Sequence, residues 1–152
     1  MKTATLTNDY HCSITAKVSP SEAFDHICQV SAWWTENFEG SAQALKDVFT
    51  IRFGETFATF RVDDFVPHEM IVWYVTDCNL HWLKDKKEWM DTKIVWEVSA
   101  KNDVTQVDMT HLGLVPGAEC YDSCEKGWDH CIKDSLFRLL TEKEGLPEKR
   151  KK

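Results

Sequence analysis

Apolar and polar residues alternate with period two over much of the chain. Over residues 9–18, Cys12, Ile14, Ala16 and Val18 share one face, and Ser13, Thr15 and Lys17 share the other. That pattern predicts a half-buried strand, because successive side chains of a strand point to opposite faces. It recurs over 92–100, where Ile94, Trp96 and Val98 oppose Lys93, Glu97 and Ser99. It recurs again over 104–112, where Val107, Met109 and His111 oppose Gln106, Asp108 and Thr110. Lys101-Asn102-Asp103 between these two runs reads as a polar hairpin loop. Residues 48–53 and 56–66 read as strands joined through Gly54-Glu55, a tight hairpin signal. Val66-Pro67-His68-Glu69 then turns the chain into a strand over 70–76.

Two stretches carry a helical period instead. Ser19-Pro20-Ser21-Glu22 opens the first, with Ser19 as N-cap, Pro20 in the first turn and Glu22 three positions after the cap. Ala23, Phe24, Ile27 and Val30 follow at helical spacing, and a short second helix is expected over 31–34. The other stretch is a helix over 118–144 with an apolar stripe of Trp128, Ile132, Leu136, Leu139 and Leu140. Gly145 is expected to cap it, and Pro147 cannot continue it. Residues 77–91 follow neither period. They set Leu80, Trp82, Leu83, Trp89 and Met90 among charged side chains, which predicts either a mobile flap or a local helix on the sheet edge. The order is strand, two helices, five strands, long helix. The expected architecture is therefore α+β, a curved antiparallel sheet of about six strands covered by one long C-terminal helix.

A chain of 152 residues buries enough surface to form one domain without staples. Its core is expected over about 10–145, with 146–152 as a solvated basic tail. The net charge of −7 repels phosphate backbones, so nucleic-acid binding is not expected. No apolar run approaches membrane-spanning length, and the N-terminus lacks a signal-peptide pattern. The six cysteines are accordingly expected to be free thiols in a cytoplasmic protein.

Several segments resemble a known family. Ala23-Phe24-Asp25-His26-Ile27 followed by Ala32-Trp33-Trp34 resembles the helix-loop-Trp signature of the START-like, Bet v 1-like (SRPBCC) superfamily. Val66-Pro67-His68-Glu69-Met70-Ile71-Val72-Trp73 resembles the proline turn and aromatic-bearing strand of single-domain relatives of the Hsp90 ATPase activator. Val107-Asp108-Met109-Thr110-His111 is similar to that group's last strand. Gly127-Trp128, Ser135-Leu136 and Leu140-Thr141-Glu142 are similar to its final helix. The resemblance covers residues 10–145 and implies a helix-grip fold with a cavity between the long helix and the sheet. It does not imply one activity, because such folds host carriers, cyclases, hydrolases and chaperone regulators. The chaperone activators carry a further N-terminal domain, for which no room is expected in these 152 residues.

The candidate chemistry is sparse. Cys78-x2-His81 with Cys120, Cys124 and Cys131 offers soft ligands, but no Cys-x2-Cys pair organises them and no metal is assigned. There is no P-loop, Gly-x-Gly-x-x-Gly run or Gly-x-Ser-x-Gly elbow, so no cofactor is assigned and no catalytic residue is named. Seven tryptophans are more than one core of this size needs. Trp34, Trp73, Trp96, Met109, His111 and Trp128 are the candidate ligand-binding residues, expected to line the cavity. The expected function is binding of a small apolar or amphipathic molecule. The alternatives are a cyclase, dehydratase or hydrolase using His111 as acid/base in the same cavity, and a chaperone-linked domain with a protein partner.

Overall fold

The computed structural model describes residues 9–115, 119 and 121–147. The expected helix start at 118, Cys120 and most of the basic tail lie outside the described residues. The alternating segments form strands β1 (Tyr10–Ala16), β3 (Val48–Phe53), β4 (Thr56–Val66), β5 (Met70–Asn79), β6 (Lys93–Lys101) and β7 (Val104–Leu112). A short strand β2 (Phe38–Gly40) joins them, so the described sheet has seven strands and not about six. Three residues are too few to show a period, so β2 carries no alternation signal in the sequence. It pairs with β3, Phe38 opposite Ile51 and Gly40 opposite Phe49. Gly40 has φ +98, and a Cβ there would sit 2.2 Å from the Val48 carbonyl oxygen, so this edge needs glycine.

The sheet runs β1-β7-β6-β5-β4-β3-β2, antiparallel throughout. The register between β4 and β5 shifts twice, passing over Thr76 and Asp63. Extra residues of this kind bend a strand and increase its twist, which curves the sheet at its centre. β5 runs to Asn79, three residues beyond the expected strand.

Helix α1 (Pro20–Cys28) starts as its cap predicts, with the Ser19 hydroxyl accepting from the Glu22 amide at 3.0 Å. Helix α2 (Val30–Trp33) follows. Together they bury Ala23, Phe24, Ile27, Val30 and Trp33 against the concave face.

The C-terminal helix has three parts: α3 (Tyr121–Asp129), a π-helical segment (His130–Leu136) and α4 (Phe137–Glu142). The π segment has a reason in the sequence. Trp128, Ile132, Leu136 and Leu140 recur every four residues, and all four are buried. At 3.6 residues per turn each such step overshoots by about 40°, so three steps would walk the stripe about 120° around the helix. A π segment has more residues per turn, takes up that drift and keeps the stripe on the sheet.

The helix ends differently from the expectation. Lys143, with φ 65, takes the left-handed capping position, and its N–H returns to the Leu139 carbonyl. Gly145 serves packing instead. A Cβ there would lie 2.3 Å from the Ala32 carbonyl oxygen. Ser135, fully buried, ties these parts together by donating to the Trp33 carbonyl at 2.6 Å and accepting from the Leu146 amide at 2.7 Å. Among the described residues no helix is long and apolar enough to cross a membrane.

Candidate functional site

A cavity of about 390 Å³ opens between α3 and the β3–β4 end of the sheet. Its sheet wall is Ile51, Phe53, Phe57 and Ala58, and its helix wall is Cys124, Gly127, Trp128 and Cys131. Trp34 closes the inner end, and Leu80, Trp82 and Trp89 arrive from the segment after β5. The space exists because small residues stand where large ones would fill it. Cys124, Gly127 and Cys131 share one helical face at spacings of three and four, on either side of Trp128. Ala58 is the small residue on the strand side.

Two of the six expected site residues, Trp34 and Trp128, line this space. Trp73, Trp96, Met109 and His111 do lie on the buried sheet face, each with no exposed surface, but they are not among the lining residues. The cause is α2 and the residue that follows it. The Trp34 ring stacks over Trp73 at 6.4 Å and 12°, and Trp33 meets Trp96 edge-on at 5.6 Å. These two indoles occupy the concave side and displace the open volume toward β3 and β4. Sequence reasoning missed the wall made by Ala58, Cys124, Gly127 and Cys131. The run of small residues on the face that carries Trp128 was the available signal.

The segment 80–92 is neither a regular helix nor an open loop. Leu80, Leu83 and Trp89 are buried, Met90 is half-buried and Trp82 remains 51% exposed beside the cavity. Trp89 lies parallel to Trp128 at 6.1 Å and 3°, so the segment's own side chains complete the aromatic wall. Glu119 holds the segment to the start of the C-terminal helix. Its carboxylate accepts from the amides of Lys84 at 2.8 Å and Asp85 at 3.0 Å, and its own amide donates to Glu88 at 2.7 Å. Those two backbone donors hold the Glu119 carboxyl below its ordinary range.

His111 sits behind the wall in a closed chain of hydrogen bonds. An indole can only donate, so Trp128 Nε1–H gives its proton to His111 Nδ1 at 3.1 Å. His111 must then carry its proton on Nε2, where it donates to Thr92 Oγ1 at 2.9 Å. Thr92 in turn donates to the Trp89 carbonyl at 2.7 Å. Burial pushes His111 down to about 3, so the ring is neutral in this one tautomer. With both nitrogens engaged and no exposed surface, it has no proton position to offer a molecule in the cavity.

The cavity itself is poor in charge. Among the described residues no Lys, Arg, Asp or Glu lines it. His130 stands at its rim, 3.4 Å from Asp134. Burial pushes the Cys131 thiol up to about 12, so it is a neutral thiol and a weak nucleophile. Cys12, Cys28, Cys78, Cys124 and Cys131 are free thiols. No cluster of three or more His, Cys, Asp or Glu side chains among the described residues is arranged to hold a metal ion.

No protein-family model matches the sequence, and no curated protein sequence matches it. Solved structures do match the fold. An Aha1 protein from Colwellia psychrerythraea, solved as a dimer, superposes with a TM-score of 0.72 at 20% identity, over 87% of this chain and 95% of that one. DynU16, from the dynemicin biosynthetic locus, gives 0.69 at 13% identity over 92% of this chain, which spans 50% of that one. CalU16 from Micromonospora echinospora gives 0.60 at 11% identity, over 81% of this chain and 70% of that one. The chain therefore shares the fold of these proteins, in keeping with the helix-grip fold that the sequence resemblance implies. Identities this low carry the fold and leave function to the site.

Proposed function

We propose that the chain binds a small, mostly apolar molecule in the cavity between the C-terminal helix and the sheet. The observation that carries this reading is the cavity itself, about 390 Å³ of space walled by Trp34, Phe53, Phe57, Trp89 and Trp128. Ligand sites are usually concave, largely preformed and mostly apolar, with volumes of about 300–1,000 Å³. Close packing is the norm in protein interiors, so a void held open by small residues beside large ones is a feature that needs a reason. The aromatic wall is stiffened from behind by the Trp128–His111–Thr92–Trp89 chain of hydrogen bonds. An acid/base enzyme finds less support, because His111 is neutral and already bonded at both nitrogens.

A thermal-shift screen of apolar small molecules tests the reading. Ligands that bind the native state raise the melting temperature by mass action. They should also perturb tryptophan emission, since Trp34, Trp82, Trp89 and Trp128 all face the space. A screen with neither signal would remove the binding reading and leave a protein-interaction role.

A further inference from the structure

The geometry points to a flat, uncharged aromatic compound as the occupant of this cavity, an inference that rests on the binding reading above. Three observations narrow the class. The first is that no Lys, Arg, Asp or Glu is among the described lining residues. A carboxylate or ammonium drawn deep inside would lose its hydration with no Lys, Arg, Asp or Glu among the described lining residues to pair with it.

The second observation is the stiffness of the wall. Trp34 and Trp128 lie 4.9 Å apart, Trp128 and Trp89 are parallel, and Trp34 is backed by Trp73 and by Phe60 at 5.7 Å. Ring faces fixed in this way meet a planar molecule without reorganisation. A flexible alkyl chain would give up its rotational freedom to lie against the same surfaces, and a flat ring system has little to give up. Indole faces and edges also reward aromatic rings beyond the area that they cover.

The third observation is the scarcity of free hydrogen-bonding groups. Trp128 Nε1 and both His111 nitrogens are used inside the protein, and the Thr56 hydroxyl accepts from the His81 amide at 3.2 Å while keeping its own proton to donate. Ser123, His130, the two thiols and the buried, unpartnered Trp89 Nε1–H remain on the lining. That suits a ligand with one hydroxyl or carbonyl near the mouth and little other polarity.

Three probes separate the possibilities by calorimetry on the full chain: 2-naphthol, 2-naphthoate and decan-1-ol. Expected is 2-naphthol binding, with the carboxylate weaker by at least about tenfold for its unpaired charge. Decan-1-ol should be weaker by a similar factor, about tenfold, for its lost rotor freedom. The Gly127→Leu variant places a side chain where a Cβ meets nothing within 4 Å, so it should fold and lose 2-naphthol binding. Equal binding of all three probes would overturn the aromatic class and leave the binding reading intact. Undiminished 2-naphthol binding by Gly127→Leu would overturn it by putting the site elsewhere. Binding of none would remove the class and the binding reading together.

Discussion

Trp128 on the C-terminal helix donates its indole N–H to Nδ1 of His111 on β7, 3.1 Å away, with both residues buried. This bond fixes the distance between the helix and the sheet next to the cavity. It also fixes the histidine tautomer, and through Thr92 it reaches the segment that carries Trp89. A Trp128→Phe substitution keeps an aromatic ring and removes the donor. His111 Nδ1 is then a buried acceptor with no partner, and such a group costs about 1–3 kcal/mol. Urea unfolding should show a loss of that size plus a smaller packing loss. A change within about 0.5 kcal/mol, ordinary for a surface site, would mean that the bond does not matter.

The same histidine sets a pH dependence. Its folded value lies near 3 and its ordinary value is 6.5, so the folded state resists protonation and the unfolded state does not. Stability from this group is complete above 6.5 and is lost as the pH falls from 6.5 toward 3. In that window the slope should approach about 1.4 kcal/mol per pH unit from this one residue. His111→Gln, which can still accept and donate, should be less stable at neutral pH and should lack that slope. An unchanged slope in the variant would assign the acid sensitivity to other groups.

Glu119 should act as a latch on the segment 80–92. It joins the segment to the helix start through two carboxylate–amide bonds and one bond from its own amide. Glu119→Ala removes both carboxylate acceptors and leaves the backbone bond to Glu88. Hydrogen exchange at the Lys84 and Asp85 amides should accelerate strongly, while exchange in β6 and β7 stays slow. A bound probe should also enter and leave faster, because Leu80 and Trp82 border the opening. Acid should act in the same direction. The Glu119 carboxyl is held below its ordinary value of 4.5, so its hold persists above that value and is lost as the pH falls through the lowered one. Unaltered amide exchange in the variant would show that the segment's buried side chains hold it without the latch.

How far the sequence could be read depended on whether a feature adds a residue or omits one. Ile94, Trp96, Val107, Met109 and His111 declared the buried face of the sheet by alternation, and all five are completely or almost completely buried there. Trp128 declared the helix face in the same way. β2 was illegible because three residues show no period, and its only mark is Gly40 with its positive φ. The cavity was half legible. Bulky Trp34 and Trp128 pointed to it, but hydrophobic pattern cannot tell a wall from the layer behind it. Trp73 and Trp96 share the pattern of lining residues, yet Trp34 and Trp33 cover them. Empty space is written in small residues, and cysteine, glycine and alanine carry no strong periodic signal of their own.

Gly127 brings stability and function into opposition. A helix-interior glycine costs about 1 kcal/mol relative to alanine, through backbone freedom in the unfolded chain. At this position φ is not positive, and a Cβ meets nothing within 4 Å, so neither backbone geometry nor packing requires glycine. Gly127→Ala should therefore raise stability by about 0.5–1 kcal/mol. A rise of that size lifts the melting temperature of a domain this long by roughly 1–4 °C. The added methyl also intrudes on the cavity beside Trp128, so affinity for 2-naphthol should fall, and it should fall further in Gly127→Leu. Stabilisation with loss of binding is the pattern expected where a glycine is kept for the space it leaves. Stabilisation with full binding in both variants would show that Gly127 does not border the occupied volume. Destabilisation by alanine would point instead to a backbone role for this glycine within the helix.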